Sequence, residues 1–102
     1  MRELGRISSY EDLCRVLIAR CDEFDIAFRT LDEAAGLADG HSSKLLAPRS
    51  TLTMGRTSLG ALLRALGVVL VAVEDPDAVS RALPRLQKRK PSGLHRQPAG
   101  AP

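Results

Sequence analysis

Short stretches of helical apolar spacing, each ended by a glycine or proline, limit this chain to a small set of folds. Tyr10, Leu13, Leu17, Cys21 and Phe24 recur at three- and four-residue steps, the period that lays one buried stripe along a helix. A first helix is predicted from Tyr10 to Phe24, with Ser9 as N-cap and Glu11 and Asp12 in the first turn, where the helix dipole favours them. Asp12 stands where a capping box usually carries Glu. A second helix is expected from Phe28 to Ala35, stopped by Gly36 and followed by Leu37 as an apolar plug. Asp39 is placed to cap a third helix running to Leu46 or Ala47 and halted by Pro48. After a loop over Arg49 to Arg56, Thr57 or Ser58 caps a fourth helix, Leu59 to Leu66, ending at Gly67.

Only 3% of the residues are aromatic and none is Trp, against a hydrophobic fraction of 44%. The core must therefore be aliphatic, which favours helices packed on helices. A chain of 102 residues makes one domain with a small core, so a dimer that buries more apolar surface is physically reasonable. The run Val68-Val69-Leu70-Val71-Ala72-Val73 is dense in β-branched residues and reads as a strand. A lone strand cannot satisfy its own backbone groups, so the economical partner is the same strand of a second subunit. The alternative is that the fourth helix continues past Gly67. Asp75-Pro76-Asp77 looks like the N-cap and first turn of a last helix, Pro76 to Leu86, weakened at its end by Pro84. From Gln87 onward the chain is basic and rich in Pro and Gly, a composition expected to be disordered. The organisation predicted is an arm over 1–8, a domain over 9–74 with a dimerising strand at 68–74, a helix over 75–86 and a basic tail over 87–102.

Charge is unevenly distributed. Residues 1–40 carry a net charge of −4, whereas residues 41–73 hold Lys44, Arg49, Arg56 and Arg64 with no carboxylate. A block free of acids suits a surface that faces phosphates. Lys88-Arg89-Lys90 can add sequence-independent affinity for a polyanion or serve only as a solubilising run.

Several function classes find no support in the sequence. Cys14 and Cys21 lie seven residues apart, two helical turns or roughly 10 Å, which is beyond disulfide range. Both read as small core residues. No Cys/His cluster has metal spacing, Asp75 and Asp77 are better explained by capping, and no cofactor is expected. His41 is adjacent to Ser42 and Ser43, but neighbours on a helix do not face each other, so no nucleophile–base pair forms. No paired catalytic carboxylates or phosphate-cradling glycine loop are seen, and the chain is not expected to be an enzyme. The most apolar run, Leu66 to Val73, is too short to span a bilayer, and the first residues lack an apolar signal core. A cytoplasmic, nucleoid-associated protein without membrane contact is expected.

The segment Leu31-Asp32-Glu33-Ala34-Ala35-Gly36-Leu37-Ala38-Asp39-Gly40-His41-Ser42-Ser43-Lys44-Leu45 combines helix, glycine turn, apolar plug and second helix at the spacing that crosses two helices steeply. Ala34 and Ala35 permit close approach, and Leu31, Leu37 and Leu45 are the expected shared core. Here the sequence resembles the Cro/repressor-type (XRE-like, lambda-repressor-like) helix-turn-helix family. Leu31 to Gly36 is similar to its L-A-x-x-x-G pattern, with Asp32 in place of Ala. Ser43-Lys44-Leu45 falls where the family has S-x-[IL]. Ser58 to Val68 is similar to the following helix, which commonly ends in A-L-G-V. The resemblance covers roughly residues 10–70. It departs at Phe28, where the family often has a phosphate-binding Gln, and at Ser42, usually apolar. It departs again at Leu46 and Pro48, which replace an acidic residue and glycine. Gly40, at a common base-reading position, has no side chain to read with.

The resemblance implies a mainly α protein: a five-helix lambda-repressor-like helix-turn-helix domain with one C-terminal β-strand pairing across a dimer. It implies a bacterial transcriptional regulator that inserts the helix 39–47 into the major groove of double-stranded DNA as a homodimer. The DNA-binding residues would be Asp39, His41, Ser42, Ser43, Lys44, Arg49 and Arg56. Lys44 would donate to guanine or phosphate, Ser43 to either, and Arg49 and Arg56 would grip the backbone. Val68, Val69, Leu70, Val71 and Val73 would form the dimer contact. The family equally admits an antitoxin or another protein-interaction module, with a toxin as partner and weak or no sequence-specific DNA binding.

Overall fold

The computed structural model describes residues 1–48 and 52–89. The described residues are mainly helical and fall into two compact units that divide between Leu70 and Val71. The first unit holds α1 (Tyr10–Phe24), α2 (Phe28–Ala35), α3 (His41–Leu46) and α4 (Arg56–Leu66). The second holds α5 (Pro76–Ala82) and a 3₁₀ turn (Leu83–Arg85). From residue 90 on, the tail expected to be disordered lies outside the described residues, as does Arg49.

The start of α1 follows from its sequence. Ser9 Oγ accepts from Asp12 N–H at 3.1 Å, and Asp12 reaches back to Ser8 N–H at 3.0 Å. Those bonds satisfy donors that a helix start leaves unpaired. α1, α2 and α4 end alike, in the Schellman arrangement. Leu37 N–H donates to Asp32 C=O at 2.8 Å, Val68 N–H to Leu63 C=O at 2.9 Å, and Ile26 N–H to Cys21 C=O at 3.0 Å. The left-handed residue in each is Gly36 (φ 71°), Gly67 (φ 64°) and Asp25 (φ 55°). The reversal at Gly67 rules out continuation of α4 through the valine run.

α2 packs on α3 and α4, and α1 packs on both as well. The core they enclose is aliphatic: Leu17 and Cys21 from α1, Leu31 from α2, Leu45 and Leu46 from α3, Leu62 and Leu66 from α4, and Val68. Leu37 packs against it half-buried. Cys21 is buried and Cys14 half-buried, both as free thiols, and burial pushes the Cys21 thiol up from its ordinary value. The ends of the predicted α1 stripe are open instead of buried, for identifiable reasons. Phe24 lies under the Arg20 guanidinium, 4.2 Å from ring centroid to Cζ, while Arg20 Nε donates to Leu66 C=O at 3.0 Å. Arg20 thereby pairs a carbonyl that the end of α4 would otherwise leave without a partner. Tyr10 keeps its hydroxyl at the surface, where it accepts from Met54 N–H at 2.8 Å and ties the segment before α4 to α1.

Three boundaries differ from the sequence expectation. α4 begins at Arg56, not Leu59, and its N-cap is Gly55 without a side-chain cap, so neither Thr57 nor Ser58 caps it. α3 is capped at Gly40, not Asp39. In the second unit Asp75 caps α5 as expected, accepting from Asp77 and Ala78 N–H, but α5 stops at Ala82. Pro84 has no N–H to extend the ladder, and the chain tightens into the 3₁₀ turn. No strand forms among the described residues; 68–75 is neither helix nor strand within one chain.

Candidate nucleic-acid interface

The turn between α2 and α3 decides which side chains point outward. Two left-handed glycines, Gly36 (φ 71°) and Gly40 (φ 82°), and the turn closed by His41 N–H on Ala38 C=O at 3.0 Å carry the chain from one helix axis to the next. α3 is six residues long. Leu45, Leu46 and Ser42 face the core, whereas Ser43 and Lys44 are exposed and His41 is half-buried. The outward side thus carries a cation and a hydroxyl, and no acid lies in α3.

The sequence-selected residues divide accordingly. Lys44 stands on the open side near the end of α3. Ser43 is exposed, but its Oγ donates to Gly40 C=O at 3.2 Å, so contact with a base would require it to rotate or to share that proton. Ser42 is a correction: it is 0% exposed and its Oγ has no hydrogen-bond partner, so it belongs to the core and cannot reach a ligand. This is the position where the resembled pattern is usually apolar. Asp39 is also corrected, being an exposed residue and not the α3 cap. Its Oδ1 lies 3.9 Å from Arg29 Nε, both side chains being largely exposed. Such a pair adds little stability, yet it offsets the negative charge that would oppose a phosphate beside α3. Arg56 is exposed at the first residue of α4. Arg49 lies outside the described residues.

Arg29 was not selected from the sequence. Its signal was a cation in the first turn of a helix, where it opposes the macrodipole.

Asp32 is the second residue missed. It is 1% exposed and sits on the same stripe of α2 as Phe28, Leu31 and Ala35. An acidic residue at an apolar register position was the sequence signal. Its Oδ2 accepts from Gly40 N–H at 2.9 Å and its Oδ1 from Ser42 N–H at 2.7 Å. Burial pushes this carboxyl up, but the neighbouring Ser42 hydroxyl dipole, the Ser42 and Gly40 N–H groups and His41 together hold it below the usual carboxylate range.

The dimer residues divide too. Val68 is 9% exposed and part of this chain's own core, so it is not available to a partner. Val69, Leu70, Val71 and Val73 are exposed, Val73 at 83%. No helix among the described residues is long and apolar enough to cross a membrane. Compared with protein-family models, curated proteins and solved structures, the chain matches none.

Proposed function

We propose that the chain is a DNA-binding regulator that presents the exposed side of α3 to the major groove, with a second copy joined through residues 69–73. The observation that carries this reading is the division of α3. Its apolar residues and Ser42 anchor it to the core, while Lys44 and Ser43 face outward in a stretch free of carboxylates from His41 to Val73. Arg56 at the start of α4 supplies a further cation for a phosphate flanking the groove, and Arg29 offsets the charge of Asp39 beside it. A helix held by two buried leucines and open on its other side is the arrangement that groove insertion needs.

Assembly follows from the valine run. Exposed Val69, Val71 and Val73 recur at a period of two, the strand period, on backbone that pairs in no helix or strand of its own chain. A second copy of the same segment would satisfy those groups and cover the valines.

Mobility-shift titration with genomic DNA fragments tests the reading. Lys44 and Arg56 engaged on both copies of a dimer would release enough counterions for a log–log salt slope of about −4. Lys44→Ala should weaken binding across all fragments and flatten that slope by about 2, two phosphate contacts being lost per dimer. Absence of retardation at low salt would remove the proposal.

A further inference from the structure

We propose that Asp32 is the positioning residue of the candidate interface: its buried carboxylate locks α3 to α2 and sets the direction in which α3 projects. In an ordinary capping box two side chains divide the work. The N-cap oxygen accepts an N–H from the first turn, and the N3 carboxylate accepts the N-cap's own N–H. α3 has neither, since its N-cap is Gly40 and its first turn is His41, Ser42 and Ser43. A single carboxylate from another helix performs both tasks, accepting from the N-cap N–H of Gly40 and from the N–H of Ser42. Because the acceptor belongs to α2, these bonds fix α3 relative to its neighbour and not merely its own first turn.

The lock also joins two departures from the helix-turn-helix pattern. Asp32 occupies a position where that pattern has alanine and Ser42 one where it is usually apolar, and the structure brings the two together inside the core. Ser42 is small enough to let the carboxylate reach its N–H. Ser42 Oγ is buried without a hydrogen bond of ordinary geometry, yet it lies close enough to Asp32 for its hydroxyl dipole to favour the charged carboxylate. Asp39 remains outside, 3.9 Å from Arg29.

The effect on DNA rests on the duplex-binding role proposed above, but the lock itself is measurable without DNA. The full chain would be prepared as wild type, Asp32→Ala, Asp32→Asn and the double variant Asp32→Ala/Ser42→Val. Amide hydrogen exchange would be followed at Gly40 and Ser42, with Leu62 and Leu66 in α4 as reference. Asp32→Asn keeps the side-chain volume and one acceptor oxygen, so it should remain folded, but it turns an amide group toward the other N–H. Its expected signature is at least a tenfold loss of protection at Gly40 and Ser42, with the α4 amides within threefold of wild type. Asp32→Ala should be worse at the same two amides, with a smaller loss in α4 from the cavity it leaves, and the double variant should reduce that α4 loss without recovering the protection of Gly40. Equal loss in α3 and α4, in any variant that folds, would reduce Asp32 to general core stability and overturn the positioning role. So would unchanged protection at Gly40 and Ser42. Genomic-fragment titration on the same samples should show at least a tenfold weaker affinity for Asp32→Asn. If wild type itself fails to bind, the regulator reading falls while the exchange result still decides the lock. If wild type binds and Asp32→Asn binds within twofold of it, the positioning role is overturned.

Discussion

Replacing Gly36 with alanine isolates the conformation of the α2–α3 turn from every packing effect. Gly36 has φ 71° and ψ 29°, and a Cβ built there meets nothing within 4 Å. The change therefore introduces no clash, and its cost is the left-handed backbone itself, roughly 1–2 kcal/mol for an L-residue. Alanine also narrows the unfolded ensemble, which returns about 0.4–1 kcal/mol. A net loss of about 1 kcal/mol remains. With a urea m-value near 1 kcal/mol/M for a domain of this size, the midpoint should fall by about 1 M at unchanged m. The same chemical change within α4 should have the opposite sign. Gly60 is helical, and a Cβ there lies 3.2 Å from Arg64 Nη1, the end of an exposed, flexible side chain that can move aside. Gly60→Ala should gain about 0.5–1 kcal/mol from helix propensity. The measurement is paired urea denaturation of both variants followed by far-UV circular dichroism. A Gly36→Ala midpoint at or above wild type would refute the argument, as would both variants shifting in the same direction.

Other consequences can be checked on the same samples. Asp25 occupies the position at the end of α1 that Gly36 and Gly67 hold in α2 and α4, with φ 55°; Asp25→Gly should leave stability unchanged or raise it by up to about 1 kcal/mol, read by the same titration. Asp32 has its carboxyl held below the usual range, so its contribution is complete above the unfolded value near pH 4 and is lost as pH falls through the lower folded value. Asp12, lowered mainly by Ser8 N–H, and Glu23, lowered mainly by Arg2, act in the same direction. Denaturation midpoints should decline below about pH 4, less steeply for Asp32→Asn. Val71→Asp places a like charge on both copies of the proposed contact, and sedimentation should show monomer where wild type sediments as a dimer; identical sedimentation of the two would exclude residue 71 from any self-contact.

Much of the helical layout is legible in the residues alone. Ser9, Gly36, Gly67 and Asp75 act through their own side chains or their own permitted φ, so the ends they set follow from local chemistry: α1 and α2 begin and end as the spacing predicts, and α5 begins where its cap predicts. The inward leucines Leu17, Leu31 and Leu45 follow likewise from their period, whereas the burial of Leu62 and Leu66 emerges only with the packing of α4. What the tertiary structure decided is every feature in which one element supplies another's missing partner. The cap of α3 comes from Asp32, eight residues before Gly40 in the chain and on a different helix, and so Asp39 is released to the surface. The end of α4 is completed by Arg20 of α1, which leaves Phe24 outside beneath the guanidinium. Ser42 and Val68, polar and apolar, are both claimed by the core because the crossing of the helices, and not their own character, turns them inward. Local rules record what a residue can satisfy by itself; which distant group arrives to satisfy the rest is fixed only when the helices pack.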